Sequence, residues 1–363
     1  MLTYRKKFAA DCEKVHELFG RVISRRPRVQ IMEICGTHTM AIARSGLRSL
    51  LPDGLKLISG PGCPVCVTDQ SYLDQAVYAA RSGGEVTIAT YGDMVRVPGR
   101  LGSLAEARAA GARVEVVYSA DQAVELAKRQ PGRQVVFLGV GFETTAPGTA
   151  LAVSRAKQEG VKNFSVLMAH KLLLPVMRAL LAAGDVEVDA FLCPGHVSVI
   201  LGYEAFEEIA RDHARPCVVA GFDPPQVVLG ILDILRQLAD DKPEATTVYP
   251  SVSAAGNAEA LRMLDEVFVP VDVAWRAMGV VPASGLALRE DLAEYDAARR
   301  LSLPEMESYE MPGCRCGDVI AGRCSPFECS LFEAGKCTPR DPVGPCMVST
   351  EGACAAAYKY ERK

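Results

Sequence analysis

QVVFLGVGFETTAPGTALAVSRAKQEGVKNFSVLMA, residues 134–169, opens and closes on apolar runs, 134–140 and 164–169, around a stretch near 145–159 with helical spacing. A short run that is apolar at consecutive positions has no solvent-facing side, so it fits a strand covered on both faces. Two such strands joined through a helix make a parallel βαβ unit. The same rhythm continues through DAFLC (189–193) and PCVVAG (216–221), with helices expected near 173–183, 202–213 and 225–239. Upstream it is already present in VQIMEI (29–34), LKLIS (55–59), EVTIAT (85–90) and RVEVVYS (113–119), separated by segments 39–50, 69–82 and 103–111.

The sequence therefore predicts an α/β protein with two similar parallel-sheet α/β domains, 28–130 and 131–253. Residues 1–27 precede them, and within 4–24 Phe8, Cys12, Val15, Leu18, Phe19 and Val22 recur at three- and four-residue steps. That helix is expected to pack on the C-terminal module. Residues 254–363 should hold connecting helices near 256–267 and 289–300, then a Pro/Gly/Cys-rich segment from 311 to 353.

The length of 363 residues fits two or three domains, and 49% hydrophobic residues with a mean hydropathy of +0.11 supply a sizeable core. Forty Lys and Arg against forty-four Asp and Glu give a net charge of -4, which leaves no basic footprint for nucleic acid or an anionic membrane surface. The most apolar long stretch, 267–288, carries Asp272, Arg276 and two prolines, so no membrane span is expected. The N-terminus mixes charges throughout and lacks the pattern of a cleaved leader, which predicts a cytoplasmic protein. In a reducing compartment thirteen cysteines argue for metal or redox chemistry rather than a disulfide framework.

Each expected strand runs into a loop of small residues: CGTH (35–38), GPGCPVC (60–66), YGD (91–93), GFETT (141–145), PGHVS (194–198) and GFDPP (221–225). Loops beyond the carboxyl ends of parallel strands are where such sheets present ligands. Cys35 and His38 put a soft thiolate beside an imidazole, a donor pair suited to a transition metal, although a small core cysteine and a polar helix-end histidine would look the same. Cys63 and Cys66 form a Cys-x-x-Cys pair ahead of Thr68 and Asp69, which read as the cap of the next helix; redox exchange is favoured over a buried structural pair. In GFETT the third glycine of a dinucleotide loop is replaced by Thr144, so Glu143 reads as a carboxylate that moves a proton or orients a ligand, with capping as its rival and Thr144 or Thr145 capping the next helix. His196 sits in a turn beside Cys193. His16 and His213 fall on polar helix faces, and Cys12 and Cys217 read as core.

Seven cysteines lie between residues 314 and 354, in a stretch too rich in turn formers to be held by apolar burial alone. Cys314, Cys329, Cys337 and Cys354, spaced C-x14-C-x7-C-x16-C, suit a 4Fe-4S cluster better than zinc, whose paired knuckles are missing. Cys316 and Cys324 remain alternates to Cys314 and Cys329, and Cys346 is the least favoured ligand.

Taken in order, CGTH, GPGCPVC, GFETT, PGHVS and the spaced cysteines resemble the HypD family of nickel–iron hydrogenase maturation factors, over nearly the whole chain. The resemblance implies a redox-active assembly scaffold rather than a conventional turnover enzyme. It implies that the Fe(CN)2CO group is built here together with HypC, that cyanide arrives from HypE, downstream of HypF, and that the product passes through HypC to the hydrogenase large subunit. By the family's pattern Cys35 is the iron ligand, Cys63 and Cys66 are the redox pair, and His38, Glu143 and His196 stand near the site. A small, mainly helical C-terminal domain would carry the 4Fe-4S cluster, and cluster and dithiol together would supply electrons for cyanide transfer. Two other readings are a thiol–disulfide oxidoreductase fed by an iron–sulfur cluster and an interaction module with a zinc-stapled tail.

Overall fold

The computed structural model describes residues 2–83 and 85–362; Met1, Gly84 and Lys363, which the divisions 1–27, 28–130 and 254–363 include, lie outside the described residues. The eight apolar runs read from the sequence become eight parallel strands, and a ninth that the sequence reading did not mark joins them. They are β1 (Val29–Glu33), β2 (Leu55–Ser59), β3 (Val86–Thr90), β4 (Arg113–Val116), β5 (Gln134–Gly141), β6 (Phe164–His170), β7 (Ala190–Pro194), β8 (Cys217–Ala220) and β9 (Ala245–Thr247). The expected helix at 173–183 is Leu173–Ala183, and that at 145–159 is Ala146–Gln158. The protein is α/β, with two parallel sheets.

The sheets do not follow the chain order that the rhythm suggested. One has the order β2-β1-β7-β8-β9 and the other β4-β3-β5-β6. The chain lays down two strands of the first sheet, builds the whole second sheet, and returns. The boundary at 130/131 therefore falls inside the second sheet, and the divisions 28–130 and 131–253 each draw strands from both sheets. The physical reason lies in β1: Ile31 and Met32 are wholly buried, and the strand needs a partner on each edge. It finds β2 on one side, Val29 to Leu55 through Glu33 to Ser59, and β7 on the other, Ile31 to Ala190 through Glu33 to Leu192. A pattern of apolar runs reports burial and cannot say which run lies beside which.

The N-terminal helix, Leu2–Val22, also differs from expectation. Its buried residues Val15, Phe19 and Val22 join Val29, Leu55, Val227, Ile231 and Leu235, so it packs along the flank of the first sheet and on the helix Pro224–Asp240. The face expected to meet the C-terminal module is thus occupied elsewhere. Residues 267–288, whose prolines and charges obscured any period, form an antiparallel hairpin of β10 (Phe268–Trp275) and β11 (Gly279–Leu288). Bridges from Trp275 to Thr68 and from Gly285 to Lys171 bind this hairpin to the neighbouring elements. The C-terminal segment consists of short helices, among them Cys316–Ile320, Ser330–Glu333, Pro345–Val348 and Ala353–Tyr360. Their apolar residues continue the main core through Val319, Ile320, Phe332 and Met347. No described helix is long and apolar enough to cross a membrane.

Candidate functional site

Strand order reverses between β1 and β7 in the first sheet and between β3 and β5 in the second. Crevices open at such switch points, beyond the carboxyl ends of the strands, because neighbouring connections leave in opposite directions. Here both switch points face one cleft of about 360 Å³, lined by Cys35, Asp93, Phe142, Thr144, His196 and Glu351 among others. The loops after β1, β3, β5 and β7 thus meet a segment that returns from the C-terminal cysteine region.

Glycines permit this convergence. A side chain on Gly62 would run into the Cys35 backbone, so GPGC closes directly on the cysteine of CGTH. A Cβ on Gly36 would fall 2.5 Å from Glu351 Cβ, which brings residues 349–352 against the start of the helix Gly36–Ser45. Thr37 Oγ1 donates to Glu351 Oε1 at 2.7 Å across that contact.

Cys35 ends β1 and precedes that helix, with 7% of its surface exposed at the cleft wall. Burial pushes its thiol up to about 12; the Glu351 and Glu33 carboxylates add to this and the His38 and Thr37 amides oppose it. A bound soft cation reverses such a preference, because coordination selects the thiolate. Beneath it lies Glu33, fully buried, whose Oε2 accepts from the Cys35 amide at 3.3 Å and whose Oε1 accepts from Thr39 Oγ1 at 2.6 Å. Burial raises Glu33 to about 7. Sequence reasoning missed this residue, since a glutamate within an apolar strand carries no motif.

Cys63 and Cys66 are joined in a disulfide, with Cα atoms 5.3 Å apart. Cys63 caps the short helix Pro64–Val67, and its Sγ accepts from the Cys66 amide at 3.2 Å. Asp69 caps the next helix, as its position suggested, by accepting from the Ser71 amide at 2.9 Å. Arg276, buried in the hairpin turn, locks the pair's loop: Nε donates to Cys66 O at 3.0 Å and Nη2 to Thr68 O at 2.8 Å.

The other motif residues divide. His196 is exposed on the cleft wall and stacks on Phe222, ring centroids 4.0 Å apart. His38 turns away from the cleft; its Nε2 lies 3.0 Å from Gly221 O, Nδ1 has no partner, and burial lowers it to about 4. Glu143 lies behind the cleft wall. Its Oε1 accepts from the Leu173 amide at 2.8 Å, anchoring the start of the helix Leu173–Ala183, while buried Oε2 has no partner and burial raises the carboxyl to about 7. Both the capping and the proton-moving reading of Glu143 thus keep an atom to stand on. Thr145 precedes its helix but donates to Phe142 O at 3.2 Å rather than capping it. His170, absent from every motif, is buried against Thr149 Oγ1 at 2.8 Å.

In the C-terminal segment Cys314, Cys316, Cys329, Cys337, Cys346 and Cys354 line one small pocket with Phe332 and Met347. Cys324 lines a different cavity, along β2. Cys346, the least favoured from spacing, therefore stands with the expected four. Burial would raise the Cys316 thiol, but the neighbouring Cys314 and Cys346 thiols and the Arg276 charge outweigh it and hold it well below its ordinary value, while burial raises Cys346. Among the described residues no three His, Cys, Asp or Glu side chains converge tightly enough to hold one ion. A multi-iron cluster takes its thiolates at separate corners, so an all-sulfur, apolar lining fits that group. Gly344 supports the fit, because a Cβ there would lie 2.5 Å from Cys314 Sγ and fill the cradle.

Fold and site together define a two-sheet α/β protein whose cleft between the sheets presents one cysteine, Cys35, beside the loop of a disulfide, with a separate nest of thiols behind it. The profile of HypD, described as the hydrogenase formation hypA family, matches residues 10–361. Hydrogenase maturation factors HypD of Azotobacter vinelandii and Escherichia coli K12 are each 43% identical, over 343 and 337 residues, covering 92% of this chain and 90% of their own. That of Cupriavidus necator is 42% identical over 344 residues, with the same coverage. A solved structure, D-threo-3-hydroxyaspartate dehydratase from Delftia sp. HT23, shares 12% identity at a TM-score of 0.14 over 88% of this chain and 90% of its own, too slight a likeness to bear on the fold. The chain belongs to the HypD family of hydrogenase maturation factors.

Proposed function

We propose that this chain is the scaffold on which the Fe(CN)2CO group of nickel–iron hydrogenase is assembled, in complex with HypC, before delivery to the large subunit. The observation that carries the reading is the convergence at one cleft of Cys35, a soft ligand, and the loop of the Cys63–Cys66 disulfide. Cys35 binds the iron of the cargo as thiolate, with a cysteine of HypC completing its hold. Cyanide reaches the cleft from HypE, which HypF supplies, as an enzyme thiocyanate. Its release, RS–CN plus two electrons giving RS⁻ and CN⁻, matches the two electrons that a dithiol yields on closing to a disulfide.

Cys314, Cys329, Cys337 and Cys354 would hold a 4Fe-4S cluster, with Cys316 and Cys346 in the same lining and Cys324 apart from it. Such a group supplies an electron reservoir behind the cleft. Residues 349–351 carry the connection between the two regions, since they leave the thiol nest at Cys346 and end against Thr37. A stand-alone thiol–disulfide oxidoreductase fits less well. Such an enzyme needs a sulfur that a protein disulfide can reach, whereas Cys63 and Cys66 are 4% and 0% exposed.

The test is anaerobic copurification with HypC, followed by infrared and iron analysis. Cys35→Ala is expected to abolish the cyanide and carbonyl stretching bands while leaving the visible absorption of an iron–sulfur cluster intact. Undiminished bands in that variant would remove Cys35 as the iron ligand.

A further inference from the structure

The group behind the disulfide is a hydroxyl. Ser349, 1% exposed, lies on the segment between Cys346 and Cys354, and its Oγ is 3.4 Å from Cys63 Sγ. The same oxygen donates to Asp93 Oδ2 at 3.1 Å and accepts from the Glu351 amide at 3.2 Å. Asp93, in the loop after β3, is itself fixed: its Oδ2 also accepts from the Thr350 amide and from Thr350 Oγ1, both at 2.8 Å. The single hydroxyl proton of Ser349 is therefore directed at the carboxylate, and a lone pair is left facing Cys63.

We propose that Ser349, aimed by Asp93, holds the Cys63 sulfur in its opened form and so sets the redox balance of the Cys63–Cys66 pair. Ser349 is the group in contact with the reacting sulfur, and Asp93 is the positioning residue. The inference rests on the reading above that this pair cycles between disulfide and dithiol. A disulfide sulfur carries no proton, so in the closed pair the lone pair of Ser349 has nothing to accept. When the S–S bond breaks, two electrons and two protons enter and each sulfur becomes S–H. The Cys63 S–H then donates into Ser349 Oγ, completing a chain from sulfur to hydroxyl to carboxylate. An interaction present in one state only shifts the equilibrium toward that state. The Cys66 amide, 3.2 Å from Cys63 Sγ, faces the same sulfur but is a donor, so it does not duplicate this acceptor.

The test uses the full chain, purified anaerobically as wild type, Ser349→Ala, Ser349→Thr and Asp93→Asn. Each is equilibrated with dithiothreitol and its oxidised form at graded ratios; the external dithiol supplies the electrons and protons and closes to its own disulfide. Alkylation and peptide mass spectrometry then count open Cys63–Cys66 pairs. Loss of one hydrogen bond in the open state should make Ser349→Ala need about tenfold more dithiol relative to disulfide, a shift of about 30 mV to lower potential. Ser349→Thr should restore the wild-type curve. Asp93→Asn, which leaves the hydroxyl but weakens its aim, should move by about threefold in the same direction. Ser349→Ala and Asp93→Asn curves that coincide with wild type overturn the inference alone. A wild-type pair that stays closed across the whole range overturns the redox reading, and this inference with it.

Discussion

Substituting Gly36 by alanine sets two opposing effects of known size against each other. Gly36 is the first residue of the helix Gly36–Ser45, where alanine is the better helix former by up to about 1 kcal/mol. Against this, the new Cβ would lie 2.5 Å from Glu351 Cβ and 2.8 Å from Glu351 O, where ordinary contact begins at 3.4 Å. Residues 349–352 must retreat by the difference, 3.4 minus 2.5 or 0.9 Å, and Glu351 cannot then keep its 2.7 Å bond to Thr37. Overpacking of this kind costs about 1–3 kcal/mol, and the bond to a carboxylate contributes about 1.5 kcal/mol more. The clash should win, for a net loss of about 2 kcal/mol. Urea denaturation gives the stability, and the rate of Cys35 alkylation by iodoacetamide reports whether the displaced segment has uncovered the cleft wall. Gly148→Ala is the internal control, because that glycine is helical with nothing within 4 Å of its Cβ position, and it should be neutral or stabilising. If Gly36→Ala matched Gly148→Ala in both measurements, the close approach of residues 349–352 to Cys35 would be wrong.

Other substitutions probe the remaining parts. Arg276→Met should cost about 2–4 kcal/mol in urea titrations, because the carbonyls of Cys66 and Thr68 lose their buried donors. Arg276→Lys, with a single point of donation, should recover only part of it. Cys324→Ser should leave iron and acid-labile sulfide content unchanged, whereas Cys337→Ser should lower both, since only Cys337 lines the thiol nest. Stability against pH offers a fourth check. Glu33 and Glu143 are raised from 4.5 to about 7, so each favours folding below pH 4.5 and loses that contribution as pH rises toward 7. His38 and His170 are lowered from 6.5 to about 4, so each contributes above pH 6.5 and loses it as pH falls toward 4. Between pH 4.5 and 6.5 the two pairs oppose each other and their slopes cancel. Glu143→Gln removes one carboxyl, and relative to wild type its stability should rise with pH across that window by about 1.4 kcal/mol per unit. A slope unchanged by the substitution would show that Glu143 is already ionised there.

The first eight strands and the longer helices were legible in the sequence because their signals are local, whereas Ala245–Thr247 and the hairpin Phe268–Leu288 were not. An unbroken apolar run such as 135–140 has to be covered on both faces wherever it lies, and a helix such as Leu173–Ala183 shows its period within its own eleven residues. The Cys63–Cys66 pair is of the same kind, since with only Pro64 and Val65 between them the sulfurs are already in reach. That cysteines between 314 and 354 belong together could be read from their number and spacing, but not which of them share one pocket, nor the place of Cys346 among them. That place depends on Pro345–Val348 folding back over residues far upstream. Pairing of β1 with β7, across more than 150 residues, likewise left no mark, because register and neighbour are settled by two surfaces meeting and neither surface encodes the other. The same holds for Glu33, His170, Ser349 and Arg276. Nothing in their surroundings along the chain sets them apart, and they gain a role only where folding shuts out water and leaves each polar atom to find its partner in another element. Local sequence thus determined the pieces and the donor atoms; tertiary structure decided which of those atoms share one cleft.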